Sequence, residues 1–460
     1  MTETAVCVDF GSTWTKALHV AICDGAVLGT ASHPTTLDDV MVGYDACLAE
    51  LGAADARAGR AEVRACSSAG GGLRIAVVGN EELVTAEAGR RVALSSGGKV
   101  VAVVALAADG SGDELESTLR VAQPDVVLLT GGTDGGNSEA LLTGARLLAE
   151  VWGGPVVVAG NADARDEVAR VLAGHAHVLA DNVVPRIGVL APGSARSRIR
   201  EMFLAHVIGG KGLTARPEFA GLVRGATPDV VLTGVEVLAR LVAPRGRGVA
   251  VVDVGGATTD VYSVVELDAD SVGREVVATT AATRTVEGDL GVRWSAPATL
   301  AAADGAVLPA GDGAVLPAGA GLGEYADRVA TDPGSLPADE RDAAYDEQLA
   351  GLAAGLALRR HAGRARVVLG PGGKVVEREG VDLREVGLLV ASGGVFRHGA
   401  AGVEGRVLAG LGSDASQGWL VPEDARVVVD RSYVLAAAGL LAADHPQAAA
   451  GLAASLVSFG

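Results

Sequence analysis

Long apolar runs are missing from this 460-residue chain. The longest, at 100–108 and 433–443, fall well short of the roughly 20 residues a bilayer-spanning helix needs. The opening Met1-Thr2-Glu3-Thr4 is acidic, with no basic-then-apolar leader, so the expectation is a cytoplasmic chain with no membrane partner. Positive charge is scarce too. Lys and Arg total 38 against 56 Asp and Glu, a net charge of -18. That balance argues against a nucleic-acid partner, whose affinity comes from neutralising phosphates. Cysteine is limited to Cys7, Cys23, Cys47 and Cys66, with no C-x-x-C pair, which disfavours a zinc site and predicts small buried thiols in a reducing compartment. Aromatic residues make up 3%, so the core must be built from Ala, Val and Leu.

Several catalytic signatures are absent. The Gly-Lys pairs at 98–99, 210–211 and 373–374 are never followed by the Ser or Thr a P-loop needs. Neither H-E-x-x-H nor G-x-S-x-G occurs, which disfavours zinc proteases and common serine hydrolases. No D-x-H-x-x-G occurs, so cobalamin is not expected to bind this chain directly. The eight histidines are dispersed, and His175 and His177 read as surface polar residues at a helix–strand junction.

What is present is a globular composition, 49% hydrophobic and 20% charged, long enough for two to four domains. Residues 5–10, 15–22 and 26–32 read as three strands joined by the Gly11-Ser12-Thr13 turn and the Asp24-Gly25 hairpin, followed by a helix over 37–51. From 62 to 208 short apolar runs alternate with helical patterns, which implies a mainly parallel sheet. The meander then returns: a helix at 228–241, a strand at 249–254, a Gly255-Gly256 turn, a strand at 258–266 and a third at 276–282. Two related half-domains would produce that repetition. The expected organisation is 1–60 as the start of the first half-domain, 61–208 as an inserted α/β domain and 209–247 as a connecting-helix region. Residues 248–445 form the second half-domain, with a low-complexity loop at 305–340, and 446–460 form a tail. The loop contains the duplicated Gly-Ala-Val-Leu-Pro-Ala at 305–310 and 313–318.

Three motifs carry chemistry. In the first, Asp9 ends a strand, Gly11 permits a tight turn, and Ser12, Thr13 and Lys16 follow. Turn amides can hold phosphate oxygens, while Asp9 would hold Mg²⁺ through water. The second, Asp253-Val254-Gly255-Gly256-Ala257-Thr258-Thr259-Asp260, repeats the arrangement with two carboxylates. Either alone is also compatible with an ordinary hairpin whose Asp caps its turn. The third, a strand ending in Ser392-Gly393-Gly394, allows close backbone approach to a ring and ribose, or is a simple strand-to-helix turn.

These motifs, in this order, resemble the sugar kinase, heat-shock chaperone and actin superfamily. The resemblance implies an α/β, actin-like ATPase fold of two ribonuclease H-like half-domains, with 228–241 and 432–443 as connecting helices. It implies Asp9, Asp253 and Asp260 around Mg²⁺ and the attacking water, with Asp9 and Asp253 as metal ligands. Gly11, Ser12, Thr13, Lys16, Gly255, Gly256, Thr258 and Thr259 would hold phosphates, and Ser392, Gly393 and Gly394 adenosine. A closer resemblance runs from about 5 to 445. Ala65-Cys66-Ser67-Ser68-Ala69-Gly70-Gly71-Gly72-Leu73-Arg74, Thr130-Gly131-Gly132-Thr133-Asp134-Gly135-Gly136-Asn137, Val158-Ala159-Gly160-Asn161 and Arg284-Thr285-Val286-Glu287-Gly288-Asp289-Leu290-Gly291 look like the glutamate mutase accessory (MutL-type) family, unrelated to the mismatch-repair protein of that name. That resemblance implies an ATP-dependent reactivating chaperone for an adenosylcobalamin-dependent mutase, with ATP and Mg²⁺ as cofactors and mutase subunits as partners. A metabolite kinase and a non-hydrolysing nucleotide-binding scaffold stay open as alternatives. Glu287 and Asp289 either orient water or form a solvated turn; residues 130–137 either contact the mutase or turn the chain.

Overall fold

The computed structural model describes residues 3–36, 38–53, 56, 61–79, 85–96, 98–106, 112–210, 212–243, 248–265, 281–304, 321–370, 373–378 and 380–457. The strand expected at 276–282 lies mostly outside them, as does the 305–318 duplication.

Alternating Val, Ala and Cys positions build the opening strands, β1 (Thr4–Phe10), β2 (Trp14–Ala21) and β3 (Val27–Pro34), into an antiparallel meander. β4 (Glu62–Ser67) then adds parallel to β1 on its other side. The chain leaves this sheet for five parallel strands: β5 (Leu73–Gly79), β6 (Gly98–Ala105), β7 (Val126–Leu129), β8 (Val156–Val158) and β9 (His177–Leu179), ordered β6-β5-β7-β8-β9. It returns as β10 (Val223–Ala226), which pairs parallel to β4 and closes the first sheet as β10-β4-β1-β2-β3. The first half's sheet therefore includes β4 and β10, although the sequence reading starts the inserted domain at 61. Strand β10 is only Val-Arg-Gly-Ala, too short and glycine-interrupted to show a period.

The second half repeats the plan. β11 (Gly248–Val254), β12 (Thr259–Val264) and β13 (Ala282–Glu287) form the meander. β14 (Ala365–Gly370) and β15 (Gly373–Arg378) make a separate two-stranded ribbon. β16 (Val386–Gly393) and β17 (Arg426–Val429) then add in parallel, giving β13-β12-β11-β16-β17. Matching strand orders and matching directions make this an actin-like ATPase fold of two related halves.

Residues 305–340 are not all loop. Leu322–Thr331 is a helix whose Leu322, Tyr325, Ala326 and Val329 enter the second-half core, and that 3.6-period stripe outweighs the glycines before it. The 446–460 tail likewise contains the helix Pro446–Ala454, buried between the halves.

Four apolar clusters organise the packing, the fourth lying within the inserted domain between its sheet and the helices Gly112–Ala122, Glu139–Val151 and Arg165–Val171. One joins Phe10, Met41 and Tyr44 of the first half to Ile75, Val77 and Val92 of the inserted sheet and its helix, so those units share a core. A second belongs to the second half alone. The third lies between the halves and is built on the helices Thr227–Val242 and Val434–Leu441, the two expected connecting helices. The four cysteines are free thiols; Cys7, Cys47 and Cys66 are buried and Cys23 is exposed. Among the described residues no helix is long and apolar enough to cross a membrane.

Candidate functional site

Each meander places a carboxylate at a strand end, and the two halves bring those ends together. Asp9, nearly the last residue of β1, faces Lys16 across the β1–β2 ladder. Lys16 Nζ donates to Asp9 Oδ2 at 3.1 Å. The hydroxyl of Thr227, first residue of the first connecting helix, donates to Asp9 Oδ1 at 2.6 Å, and the Cys66 thiol lies 3.6 Å from the same oxygen. Asp253 stands opposite both Asp260 on β12 and Ser392 on β16.

The hairpin tips touch. A Cβ added to Gly256 would lie 2.6 Å from Thr13 Oγ1, so the second tip lies directly against the first. Gly255 N–H closes its own turn on the Thr258 carbonyl at 2.9 Å. The turn is held from behind: Val292 N–H donates to the Gly255 carbonyl at 3.1 Å and Arg293 N–H to the Gly256 carbonyl at 2.8 Å. Arg293 is itself fixed by paired bonds to Asp346, at 2.6 and 2.7 Å. Gly393 has φ +112°, and a Cβ there would collide with the Val254 carbonyl. The third motif is thereby pressed against the end of β11, while the neighbouring Gly394 opens onto free space.

Electrostatics set the site apart. Burial raises the Asp253 carboxyl above the usual carboxylate range, with Lys16 and the Ser392 hydroxyl pulling it down and Asp9 pushing it up. Burial pushes Asp260 up to about 6, although Arg284 opposes the rise; Asp253 adds to it. Burial works against the Lys16 charge, but Asp9, then Tyr433 and Asp253, hold the ammonium's pKa above its ordinary value. Arg284 is fully buried with Nε 3.4 Å from Asp260 Oδ1, and none of its nitrogens makes a hydrogen bond among the described residues. Asp430 caps the second connecting helix, accepting from Val434 N–H at 3.0 Å and Leu435 N–H at 3.3 Å. Tyr433, left-handed at φ +55°, carries Lys16 Nζ 4.5 Å above its ring and the Arg397 guanidinium at 4.8 Å.

This donor set fits a metal–polyphosphate. The Thr13 and Thr259 hydroxyls are buried without a hydrogen-bond partner. A phosphate ester alone would meet Asp9, Asp253 and Asp260, so a divalent cation must accompany it, and hard oxygen donors suit Mg²⁺. Among the described residues no three His, Cys, Asp or Glu side chains converge as a metal cluster. The ion would thus take Asp9 and Asp253 with water completing its shell.

The three motifs adjoin one another, Gly256 meeting Thr13 and Gly393 packing on Val254. Glu287 and Asp289 are both ion-paired to Arg360, at 2.6 Å to the first and 2.7 and 2.8 Å to the second, and the Asp289 side chain stays exposed. Residues 130–137 lie beyond β7 in the inserted domain, where Asn161 and Asn182 bond the Gly136 and Gly132 carbonyls. Sequence reasoning did not find Thr227, Arg284, Arg293, Asp430 or Tyr433. For Thr227 the Thr-Pro helix start is a signal, though of a helix boundary and not of contact with Asp9.

The sequence model of a family described as MutL protein matches residues 5–456. Protein MutL of Clostridium tetanomorphum is 34% identical over 457 residues, covering 96% of this chain and 96% of that one. Among solved structures, a ROK hexokinase from Thermus thermophilus is 14% identical at a TM-score of 0.26, covering 99% of this chain and 100% of that chain. Component A of (R)-2-hydroxyglutaryl-CoA dehydratase from Acidaminococcus fermentans is 11% identical at a TM-score of 0.27, covering 97% and 100%. The fold assignment rests on the matched strand orders, and these overlays add nothing to it.

Proposed function

The chain belongs to the MutL family, and from that premise we propose that it is an ATP-dependent accessory protein that reactivates or assembles an adenosylcobalamin-dependent mutase such as glutamate mutase. The observation carrying the ATP reading is the meeting of Gly256 with Thr13, because two separate phosphate turns then serve one ligand. Gly11, Ser12, Thr13, Lys16, Gly255, Gly256, Thr258 and Thr259 bind phosphate oxygens. Ser392, Gly393 and Gly394 take the adenosine. Bound Mg²⁺ supplies the positive field that offsets the carboxylates, held by Asp9 and Asp253.

Asp260 is suited to accept a proton from the attacking water, since a base is most effective with a pKa near the working pH. It is ionised above about pH 6 and neutral below. The expected result is an ATPase rate held at neutral pH and lost as pH falls through about 6. Asp260→Asn should remove both turnover and that acid limb. A flat profile through this range in the wild type would exclude Asp260 as the base.

Hydrolysis alone does not distinguish a chaperone from a kinase. The expected result for the chaperone is that chain plus ATP restores activity to a mutase inactivated by damage to its corrinoid, and that chain without ATP does not. The Asp9→Ala variant, with its fold retained by circular dichroism, should fail to restore it. Equal recovery with and without ATP would remove this reading. Fast turnover stimulated by one hydroxylated metabolite, without mutase, would replace it with the kinase.

A further inference from the structure

The inserted domain touches both sides of the cleft, and it is attached to them differently. To the first half it is bound by a shared apolar core. It is also bound by charge: Arg200 Nε lies 2.6 Å from Asp229 Oδ2, and Arg196 reaches Asp229 at 3.5 Å and Glu236 at 3.1 Å, both acids on the first connecting helix. Asp229 is 1% exposed, so these pairs are not easily broken. The inserted domain and the first half therefore move as one body.

Toward the second half no core is shared, because that half's apolar cluster holds no residue of the inserted domain. The bridge among the described residues is local. The helix Glu87–Ser95 packs against β13, and the exposed Lys99, at the start of β6, reaches the Gly288 turn. A Cβ on Gly288 would lie 2.5 Å from Lys99 Nζ and 3.0 Å from its Cε, so the end of the lysine side chain rests on that turn. The turn is acidic on both flanks, with Glu287 and Asp289. Lys99 helps to hold the Asp289 carboxyl below the usual range, after the larger effect of its bonds to Arg360.

That turn is wired to the second phosphate hairpin. The Ser295 hydroxyl lies 2.6 Å from the Ala257 carbonyl and 3.3 Å from the Gly288 carbonyl, bridging the two loops. Gly291 packs on Gly256, where a Cβ would lie 2.7 Å from the Gly256 carbonyl. A pull on the 287–289 turn is thus a pull on the loop that meets Thr13.

We infer that Lys99 is a latch: its ammonium, seated on Gly288 beside Asp289, holds the second half's phosphate hairpin closed against the first half and so governs how fast bound nucleotide leaves. This rests on the ATP reading above. An exposed lysine attracted to a nearby carboxylate is weakly held, able to bias closure and still able to open. It also gives anything that grips the inserted domain leverage on the nucleotide.

The test is the dissociation rate of a fluorescent (N-methylanthraniloyl) ADP, chased with excess ADP in a stopped flow, for wild type, Lys99→Glu and Lys99→Arg. Reversing the charge turns attraction toward Asp289 into repulsion, and release should quicken by roughly fivefold. The Arg variant keeps the charge and should stay within about twofold of wild type. Lys99 is exposed, so neither change disturbs a core. Unchanged release from Lys99→Glu, with wild type binding normally, overturns the latch and leaves the ATP site standing. A wild type that binds no nucleotide overturns both.

Discussion

Asp253→Asn is expected to cut ATP turnover by about 10²–10³-fold while leaving the nucleotide-free fold at least as stable as wild type near neutral pH. The first half follows from position. Asp253 is centred in the cleft, facing Asp260 and Ser392 across the ladders and close enough to Asp9 and Lys16 to shift with them. The amide keeps the shape but loses the charge that would hold the metal. The second half follows from linkage. Burial raises the Asp253 pKa in the fold above its unfolded value, so folding favours the protonated form. The ionised carboxylate begins to cost stability as pH rises past the unfolded value, and the cost is complete above the folded one. Asparagine never ionises and never incurs it. Lys16 keeps Asp9 as its partner, so no cation is stranded. The checks are phosphate release under saturating ATP and denaturant unfolding without nucleotide. Turnover near wild type would remove Asp253 from the metal site. A marked loss of stability would mean that its charge supports the fold.

The acidic strand ends themselves were legible from the sequence. Strand, Asp, glycine turn and hydroxyls are contiguous in each hairpin, and their geometry is local: Asp9 pairs with Lys16 and Asp253 with Asp260 within single meanders. The repetition of the motif pointed to two halves, and the strand orders repeat as well. The rest depends on contacts that sequence order conceals. Thr227 meets Asp9 across 218 positions, through a helix that follows the whole inserted domain. Arg293 finds Asp346 only because the helix Glu340–Ala362 lies behind the phosphate turn. Glu287 and Asp289 looked available for water, and nothing near them in sequence announces Arg360, 73 and 71 residues away. β4 and β10 escaped because each is short and borders the inserted domain, where the alternating strand–helix rhythm dominates the pattern.

The second large effect concerns the hinge between the halves. Gly439→Ala is expected to destabilise the protein by about 3 kcal/mol, although the same change in a solvent-facing helix gains up to about 1 kcal/mol. The helices Thr227–Val242 and Val434–Leu441 cross with their backbones in contact. A Cβ on Gly439 would fall inside 3.0 Å of the Val230 carbonyl, and one on Gly234 inside 3.0 Å of the Leu435 carbonyl, so each helix presents a glycine to the other's carbonyl. Neither obstacle is the far end of a flexible side chain, and relief requires moving a whole helix. Both helices sit in the apolar layer between the halves, among Leu232, Leu238, Leu435 and Leu441. Separating them loosens that packing along its length. Gly355 is the control: it lies in a helix with no atom within 4 Å of where a Cβ would be, and alanine there should be neutral or stabilising. Urea unfolding of the two variants separates the effects. Destabilisation by Gly439→Ala beside a neutral Gly355→Ala assigns the loss to the crossing and not to helix propensity. Equal behaviour of the two would mean that the crossing can widen freely. The functional consequence follows from where the two helices begin. Thr227 opens one and touches Asp9, while Asp430 and Tyr433 open the other beside Lys16. A wedge at Gly439 should therefore shift the nucleotide site as well as the stability, weakening fluorescent-ADP binding in the molecules that remain folded.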